Sequence, residues 1–261
     1  MSVRFTITEK KKKDLFHALF LVLKGATSHL HTSLNSDRIH IQGMDKSHVC
    51  LFDLHLQSAW FDTYQVDEPL HICFDASIFC SMLSTKSDDQ HISVKMTSAD
   101  ALDIELVNDE SSKAANGYNK YFTLPLMEYD YAEMSIPDTD YDAEFALPSK
   151  NITNLLAQLS NFGTDLKVTC MDDDVDFETK GPWGDMRVRV HIDDMSSYSV
   201  VEGQTLRVTY SLAYVSKMCV TNKLSAEVEF ALSGESPMRV KYDLGDNSSL
   251  VFYMAPKVSE D

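Results

Sequence analysis

The feature that most constrains the fold of this chain is a strand-then-helix pattern that occurs four times. In each copy a short segment of alternating apolar and polar residues is followed directly by apolar residues at helical spacing. The copies begin at Val3, Leu70, Ala143 and Leu206, so successive copies start roughly 60 to 75 residues apart. A period of this length accommodates one compact supersecondary unit per copy. The sequence therefore predicts a repeated fold.

The predicted helices run from Lys12 to Leu23, from Ser77 to Ser84, from Pro148-Ser149 onward, and from Ser211 to Cys219. Further alternating segments lie between them, at residues 38–42, 48–56, 91–96, 102–107, 167–170, 187–192, 226–232, 238–244 and 250–254. One helix followed by several antiparallel strands predicts an α+β fold with the helices on one face of the sheets. An unrelated α+β protein with an accidental repeat remains the alternative at this point.

One stretch, residues 125–142, breaks the pattern with acidic residues, two prolines and several apolar side chains. It falls between the second and third copies, which predicts an extended connector between two pseudo-equivalent halves. The corresponding domains are an N-terminal one at 1–124 and a C-terminal one at 143–261. The apolar side chains of the connector either pack onto a sheet or form a docking surface, and the two are compatible.

The formal net charge of -17 gives an ambiguous indication about partners. Acidic proteins repel phosphate, which argues against an ordinary nucleic-acid binder. A protein that encloses DNA needs little intrinsic affinity, so the placement of its basic residues matters more than their sum. No apolar run approaches the roughly 20 residues of a membrane helix, and the N-terminus lacks a secretory signal layout. We therefore expect a cytosolic or nuclear address and no membrane partner.

No motif indicates catalysis, a metal or a cofactor. His48 has no second ligand at suitable spacing on its strand. The acidic run at 172–176 resembles the start of a calcium loop, but Phe177 and Trp183 replace the glycine and acid that such a loop requires, which favours a solvated turn. Walker, G-x-S-x-G and H-E-x-x-H motifs are absent from the sequence. The cysteines have no C-x-x-C spacing and are predicted to be reduced, mostly buried thiols: Cys50, Cys73, Cys80, Cys170 and Cys219.

Several segments together resemble one family in their order and spacing. They are Met44 to Val49 with Leu51, Phe61 to Tyr64, Leu126-Met127, Ile136-Pro137 through Tyr141, Leu147 to Ser149, and Tyr253 to Lys257 before the acidic end Glu260-Asp261. Across nearly the whole chain they resemble the proliferating cell nuclear antigen (PCNA) family of DNA sliding clamps. The resemblance implies the DNA-clamp fold, with two similar domains per chain, antiparallel sheets outside and short helices lining the pore of a trimeric ring.

The resemblance also implies a function. Such a protein encircles duplex DNA without sequence preference, raises polymerase processivity in the nucleus during DNA replication and repair, and is opened by a clamp loader. It forms a homotrimer, uses no cofactor, and docks DNA polymerase and other proteins through peptides with a glutamine and hydrophobic or aromatic anchors. Two alternatives stay open: a subunit of a heterotrimeric checkpoint-type clamp, and a clamp-shaped interaction hub that engages DNA weakly.

The resemblance assigns three sets of residues. The peptide pocket under the connector comprises Met44, His48, Val49, Leu51, Met134, Ile136, Pro137, Tyr141, Pro237, Tyr253, Ala255 and Pro256. The trimer interface pairs edge strands at 121–126 and 187–192 and includes Phe122, Leu124, Val188 and Val190. The DNA-facing set comprises Lys10, Lys11, Lys12, Lys13, Lys86, Lys150, Lys217 and Lys223.

This chain departs from the family pattern at several of its functional positions. Asn154, Ala157, Asn161 and Ala213 stand where the inner helices of the family carry basic residues. Fewer phosphate contacts imply a weaker electrostatic grip and a shallower salt dependence. Asp172 stands where the family has its main ubiquitin-acceptor lysine, so signalling through that residue is not expected.

Overall fold

The computed structural model describes residues 3–108, 118–129, 133–201 and 203–257, so the acidic end predicted at 260–261 lies outside the described residues. The chain divides into two compact units. Unit 1 comprises Met1–Lys46, Asp53–Met134 and Leu244–Ser249, and unit 2 comprises Ser47–Phe52, Ser135–Asp243 and Leu250–Asp261.

Unit 1 contains two helices and two antiparallel sheets. Its elements are β1 (Val3–Ile7), α1 (Lys10–Ala26), β2 (His29–Leu34), β3 (Arg38–Met44), β4 (Cys50–Gln57), a 3₁₀ turn (Ser58–Trp60), β5 (Thr63–Val66), β6 (Leu70–Asp75), α2 (Ala76–Ser84), β7 (Gln90–Ser98), β8 (Ala101–Asn108) and β9 (Lys120–Pro125). One sheet has the order β5-β1-β7-β8-β9, and the other includes β4-β3-β2-β6.

Unit 2 repeats this arrangement. Its elements are β10 (Ala143–Pro148), α3 (Ser149–Leu159), β11 (Asp165–Cys170), β12 (Asp174–Gly181), β13 (Gly184–His191), a 3₁₀ turn (Ile192–Asp194), β14 (Ser197–Val200), β15 (Leu206–Ser211), α4 (Leu212–Met218), β16 (Glu227–Leu232), β17 (Met238–Gly245) and β18 (Ser248–Met254). Its strand orders are β14-β10-β16-β17-β18 and β13-β12-β11-β15. Strand for strand, these orders match those of unit 1, which confirms the α+β prediction.

The helices form where the apolar stripe predicted them. In unit 1, α1 packs against α2, with the rings of Phe20 and Phe79 in edge-to-face contact at 4.5 Å. The Asp75 carboxylate caps α2, because its Oδ1 accepts hydrogen bonds from the backbone N–H groups of Ser77 and Ile78, each at 2.8 Å. Such a cap contributes about 1 kcal/mol to helix stability. Among the described residues, no helix is long and apolar enough to cross a membrane.

In unit 2, α3 packs against α4 and is tied to its end by one side chain. The hydroxyl of Thr153 donates to the carbonyl oxygen of Cys219 at 2.9 Å. Cys219 and the other four cysteines are buried and form no disulfide, as the sequence predicted. Burial raises the pKa of Cys170 to about 12.

The prediction of a solvated turn at 172–176 is wrong in part. The turn is confined to the start of this run, and β12 begins at Asp174. Asp176 is only 6% exposed and lies opposite Arg189 in the β12–β13 ladder. Its two carboxylate oxygens accept hydrogen bonds from Nε and Nη2 of Arg189, both at 2.8 Å. Asp176 is therefore a buried strand residue with an ion-pair partner. Its acidic neighbours in the sequence had suggested a solvated turn instead.

Candidate functional site

Most of the proposed peptide-pocket residues belong to unit 2, and none of them is buried there. Val49, Leu51, Ile136, Tyr141, Tyr253 and Pro256 are half-buried, whereas His48, Pro137, Pro237 and Ala255 are exposed. The backbone N–H of Ala255 donates to the carbonyl oxygen of Val49 at 3.5 Å, so the segment after β18 lies beside the segment before β4. His48 has a φ of 55°, a left-handed conformation that turns the chain sharply just before these residues.

Tyr141 is held in place at the end of the connector. The guanidinium of Arg239 lies 4.9 Å from the centre of its ring, and Arg239 also donates to the carboxylate of Glu144 at 2.8 Å. Burial raises the pKa of Tyr141 above its ordinary value. The next residue, Asp142, donates its N–H to Leu232 and accepts from the N–H of Gly234, both at 2.9 Å. The connector therefore ends in a fixed position on unit 2.

The two methionines of the proposed pocket, Met44 and Met134, belong to unit 1, and both are half-buried. Met134 is held through its backbone by the side chain of Gln42. The Gln42 amide nitrogen donates to the Met134 carbonyl at 3.0 Å, and the Met134 N–H donates to the Gln42 amide oxygen at 2.8 Å. Because both contacts use backbone atoms of Met134, its thioether side chain remains available to a partner.

The four consecutive lysines of α1 differ in their exposure and in their contacts. Lys10 is exposed and paired with Asp88. Lys12 donates to the carbonyl of Trp60 and to the carboxylate of Asp246, both at 2.8 Å. Lys11 is exposed, and within the described residues the structure records no partner for its ammonium group.

Lys13 is buried, at 2% exposure, and is directed into unit 1. Its Nζ donates to the carbonyl oxygens of Asp88 and Gln90, both at 2.7 Å, and burial lowers its pKa. This burial argues against a phosphate contact for Lys13, because its ammonium group is enclosed and bonded to two carbonyls. Lys86 is also largely buried, with 8% side-chain exposure, and it pairs with Asp14 at 2.5 Å.

The basic residues predicted on unit 2 are all exposed. Lys150 lies in the first turn of α3, Lys217 near the end of α4, and Lys223 in the loop that follows. The ammonium of Lys217 lies 5.2 Å from the centre of the Tyr214 ring. Unlike Lys13, these three side chains are placed where a phosphate can approach them.

The strands predicted to form the subunit seam are both edge strands. Among the described residues, β9 pairs only with β8, and β13 pairs only with β12. Phe122, Val188 and Val190 are half-buried. Leu124, however, is 1% exposed, so its side chain belongs to the core of unit 1 and has no surface to offer a second subunit.

Sequence reasoning missed an apolar groove beside β9. The groove has a volume of about 350 Å³ and lies between α2 and β9, where Ile78, Met82 and Phe122 supply its apolar lining. Ile78 is 47% exposed, which is unusual for an apolar residue on a short helix. Ile78 lies outside the buried apolar stripe of α2, which was the only indication of the groove in the sequence. That Phe122 lies next to Ile78 is visible only in the fold.

The repeated units, each with a helix pair and antiparallel sheets, define a protein of the DNA-clamp class. Family models for proliferating cell nuclear antigen match both halves: the N-terminal domain model matches residues 8–133, and the C-terminal domain model matches residues 135–257. A proliferating cell nuclear antigen from Chaetomium thermophilum is 27% identical over 233 residues, which cover 87% of this chain and 88% of that protein. The chain therefore belongs to the PCNA family of non-catalytic sliding clamps.

Proposed function

We propose that this chain forms a homotrimeric ring that encircles duplex DNA, raises the processivity of a DNA polymerase, and docks partners through the pocket described above. The proposal includes a nuclear location and a clamp loader that opens the ring. Family membership supports the sliding-clamp role, and the edge strands and half-buried apolar residues of this chain support a homotrimer with a docking pocket.

The observation that carries the proposal is the pair of one-sided edge strands, β9 and β13. Unpaired strand edges favour pairing with another chain and are normally protected. Phe122 on one edge strand and Val188 and Val190 on the other add apolar surface to the free hydrogen-bonding groups. Two different edges of one chain form a heterologous contact, which must close into a ring or grow into a filament. Closure after three subunits satisfies both edges of every chain.

The partial exposure of the predicted pocket residues supports the proposed peptide pocket. Val49, Ile136 and Tyr253 are apolar or aromatic, yet each keeps part of its side chain in contact with solvent. Side chains of this type supply the adaptable apolar contacts that promiscuous docking sites use, and the half-buried methionines add to them. Hydrogen bonds hold the backbone of Met134 and the end of the connector at Asp142, which lowers the cost of ordering these residues when the peptide binds.

The test has two steps. Light scattering coupled to gel filtration should give three times the chain mass of 29.5 kDa. A clamp loader and ATP should then load the protein onto nicked circular DNA. The protein should remain on this DNA and leave it after linearisation. In a primer-extension assay it should lengthen the products that the polymerase makes. A heterotrimeric clamp subunit would stay monomeric alone. Equal retention on circular and linear DNA would rule out enclosure.

A second candidate, a clamp-shaped hub that engages DNA weakly, is favoured by one observation. Acidic groups already pair with Lys10, Lys12 and Lys86, and Lys13 is enclosed. This candidate predicts a trimer that binds docking peptides but gives no retention on circular DNA and no gain in processivity. The same two-step experiment therefore distinguishes it from a working clamp.

A further inference from the structure

Two histidines and an aspartate converge on one face of the β4-β3-β2-β6 sheet of unit 1. Asp53 and His55 lie two residues apart on β4, so their side chains share a face, and His40 lies on the neighbouring strand β3. The alternate residues of these strands point into the apolar core of unit 1 and are buried: Ile39, Ile41, Leu54 and Leu56. The three polar residues thus occupy the face opposite that core.

The two imidazoles contact the two oxygens of the Asp53 carboxylate. Nε2 of His40 lies 2.7 Å from Oδ1 of Asp53, and Nε2 of His55 lies 2.9 Å from Oδ2 of the same carboxylate. The two imidazole rings are stacked, with centres 4.3 Å apart and planes 6° from parallel. One nitrogen or oxygen atom from each residue falls within 4.8 Å of the others. His40 and Asp53 are 5% and 8% exposed, and His55 is half-buried.

Carboxylate oxygens face both ring nitrogens of His40. Nδ1 of His40 faces a carboxylate oxygen of Glu133 at 3.4 Å, while its Nε2 faces the carboxylate of Asp53. Nδ1 of His55 is buried and has no hydrogen-bond partner among the described residues.

We propose that His40, Asp53 and His55 bind a divalent transition-metal ion, with Glu133 orienting His40. Two imidazoles and a carboxylate are ligands that Zn²⁺ accepts readily, and water completes the tetrahedral set. Zinc bonds of about 2.0 to 2.2 Å require donor atoms about 3.3 Å apart, so the contacts to Asp53 must open by about 0.5 Å. The two stacked rings must also tilt, because each imidazole binds an ion in its own ring plane. A hydrogen bond from the second nitrogen of a ligating histidine to a carboxylate is a common supporting contact in zinc sites.

The ion would act structurally, by fastening the segment at 133–134 to β3. Glu133 precedes Met134, whose backbone is bonded to Gln42, and Gln42 lies two residues from His40 on the same face of β3. With the ion bound, the imidazole of His40 keeps its proton on Nδ1 and donates it to Glu133. The metal site and the amide of Gln42 then hold two successive residues of the chain. Glu133 is 61% exposed, which leaves a route for the ion to enter from solvent.

The test uses the full chain after treatment with a chelator. Calorimetric titration with ZnCl₂ should show one saturable site per chain, and Co²⁺ should give the visible absorption of a tetrahedral complex. His40→Gln or His55→Gln should weaken Zn²⁺ binding by about 100-fold or more, and Glu133→Gln by about 10-fold, as losses of ligands and their supporting groups do. Zn²⁺ should raise the melting temperature of the unchanged chain but not of His55→Gln.

His191→Gln is the matched control, because His191 pairs with Asp193 at 3.3 Å on an exposed surface of unit 2 and belongs to no metal-ligand cluster among the described residues. It should bind Zn²⁺ like the unchanged chain. His55 is half-buried, so His55→Gln should fold, and circular dichroism verifies this. The proposal is overturned if no saturable binding is found, if binding survives both His40→Gln and His55→Gln, or if His191→Gln reduces it equally. The first outcome would leave a hydrogen-bonded cluster that binds no metal ion.

Discussion

Replacing Lys13 with methionine distinguishes a structural lysine from one that contacts DNA. The substitution keeps an unbranched side chain of similar length and removes the ammonium group that donates to the carbonyls of Asp88 and Gln90. The Gln90 contact is buried and the Asp88 contact partly so. We therefore expect Lys13→Met to destabilise unit 1 and to leave the DNA-contacting surface unchanged.

The magnitude follows from the two carbonyls. A buried acceptor left without a donor costs about 1–3 kcal/mol, and a partly buried one costs less because water can reach it. Methionine also removes the cost of burying a charge, a cost indicated by the lowered pKa of Lys13. The net loss of unfolding free energy should be about 1–3 kcal/mol, equivalent to about 3 to 10 °C in melting temperature.

The assay is urea unfolding followed by the fluorescence of Trp60, which is buried in unit 1. A Trp183→Phe background removes the other tryptophan, which is 90% exposed. Lys11→Met is the matched control, because its exposed side chain should change stability by no more than about 0.5 kcal/mol. If Lys13→Met were as stable as the control and yet lost retention on circular DNA, its ammonium group would face phosphate and the structural role would be refuted.

Three further predictions concern the pocket, the seam and the β12–β13 hairpin. Ile136→Asp should weaken a glutamine-anchored docking peptide by about 2 kcal/mol in calorimetry without lowering the melting temperature, and unchanged affinity would contradict the pocket assignment. Phe122→Asp should convert the trimer to monomers in light scattering, whereas Tyr121→Asp, on the opposite side of β9, should have a smaller effect. The hydrogen bonds and charge of Arg189 hold the pKa of Asp176 below its usual range, so this pair stabilises the fold above about pH 3.9 and the stabilisation is lost as the pH falls through the lowered pKa. Asp176→Asn should therefore flatten the acid limb of the stability curve, and an unchanged limb would contradict this role.

The repeat could be predicted from the sequence because it depends on local periodicity. Apolar residues such as Phe16 and Leu19 mark the buried stripe of α1 wherever that helix packs. The direction of Lys13 could not be read in the same way. It lies three residues before Phe16, on the same stripe, but the carbonyls that accept its hydrogen bonds come from residues 88 and 90, far along the chain.

The candidate metal site also depends on contacts between residues that are far apart in the sequence. Asp53 and His55 are adjacent on one strand face, but a pair at this spacing is common and carries little information by itself. His40 joins them only because β3 lies beside β4, and Glu133 joins them from a segment far along the chain. A ligand set on the strand of His48 would be visible in the sequence, whereas the convergent histidines lie on two neighbouring strands.

The acidic partners of the lysines bear on how the proposed clamp would hold DNA. A free lysine that meets a phosphate releases a condensed counterion, which drives binding and makes it salt-dependent. Lys10, Lys12 and Lys86 are already paired with Asp88, Asp246 and Asp14, so a phosphate must first displace a carboxylate of the same charge. The exchange replaces one ion pair with another and yields little net attraction. For a ring that encloses DNA, weak attraction is compatible with function, because the closed ring cannot leave the DNA and low affinity lets it slide.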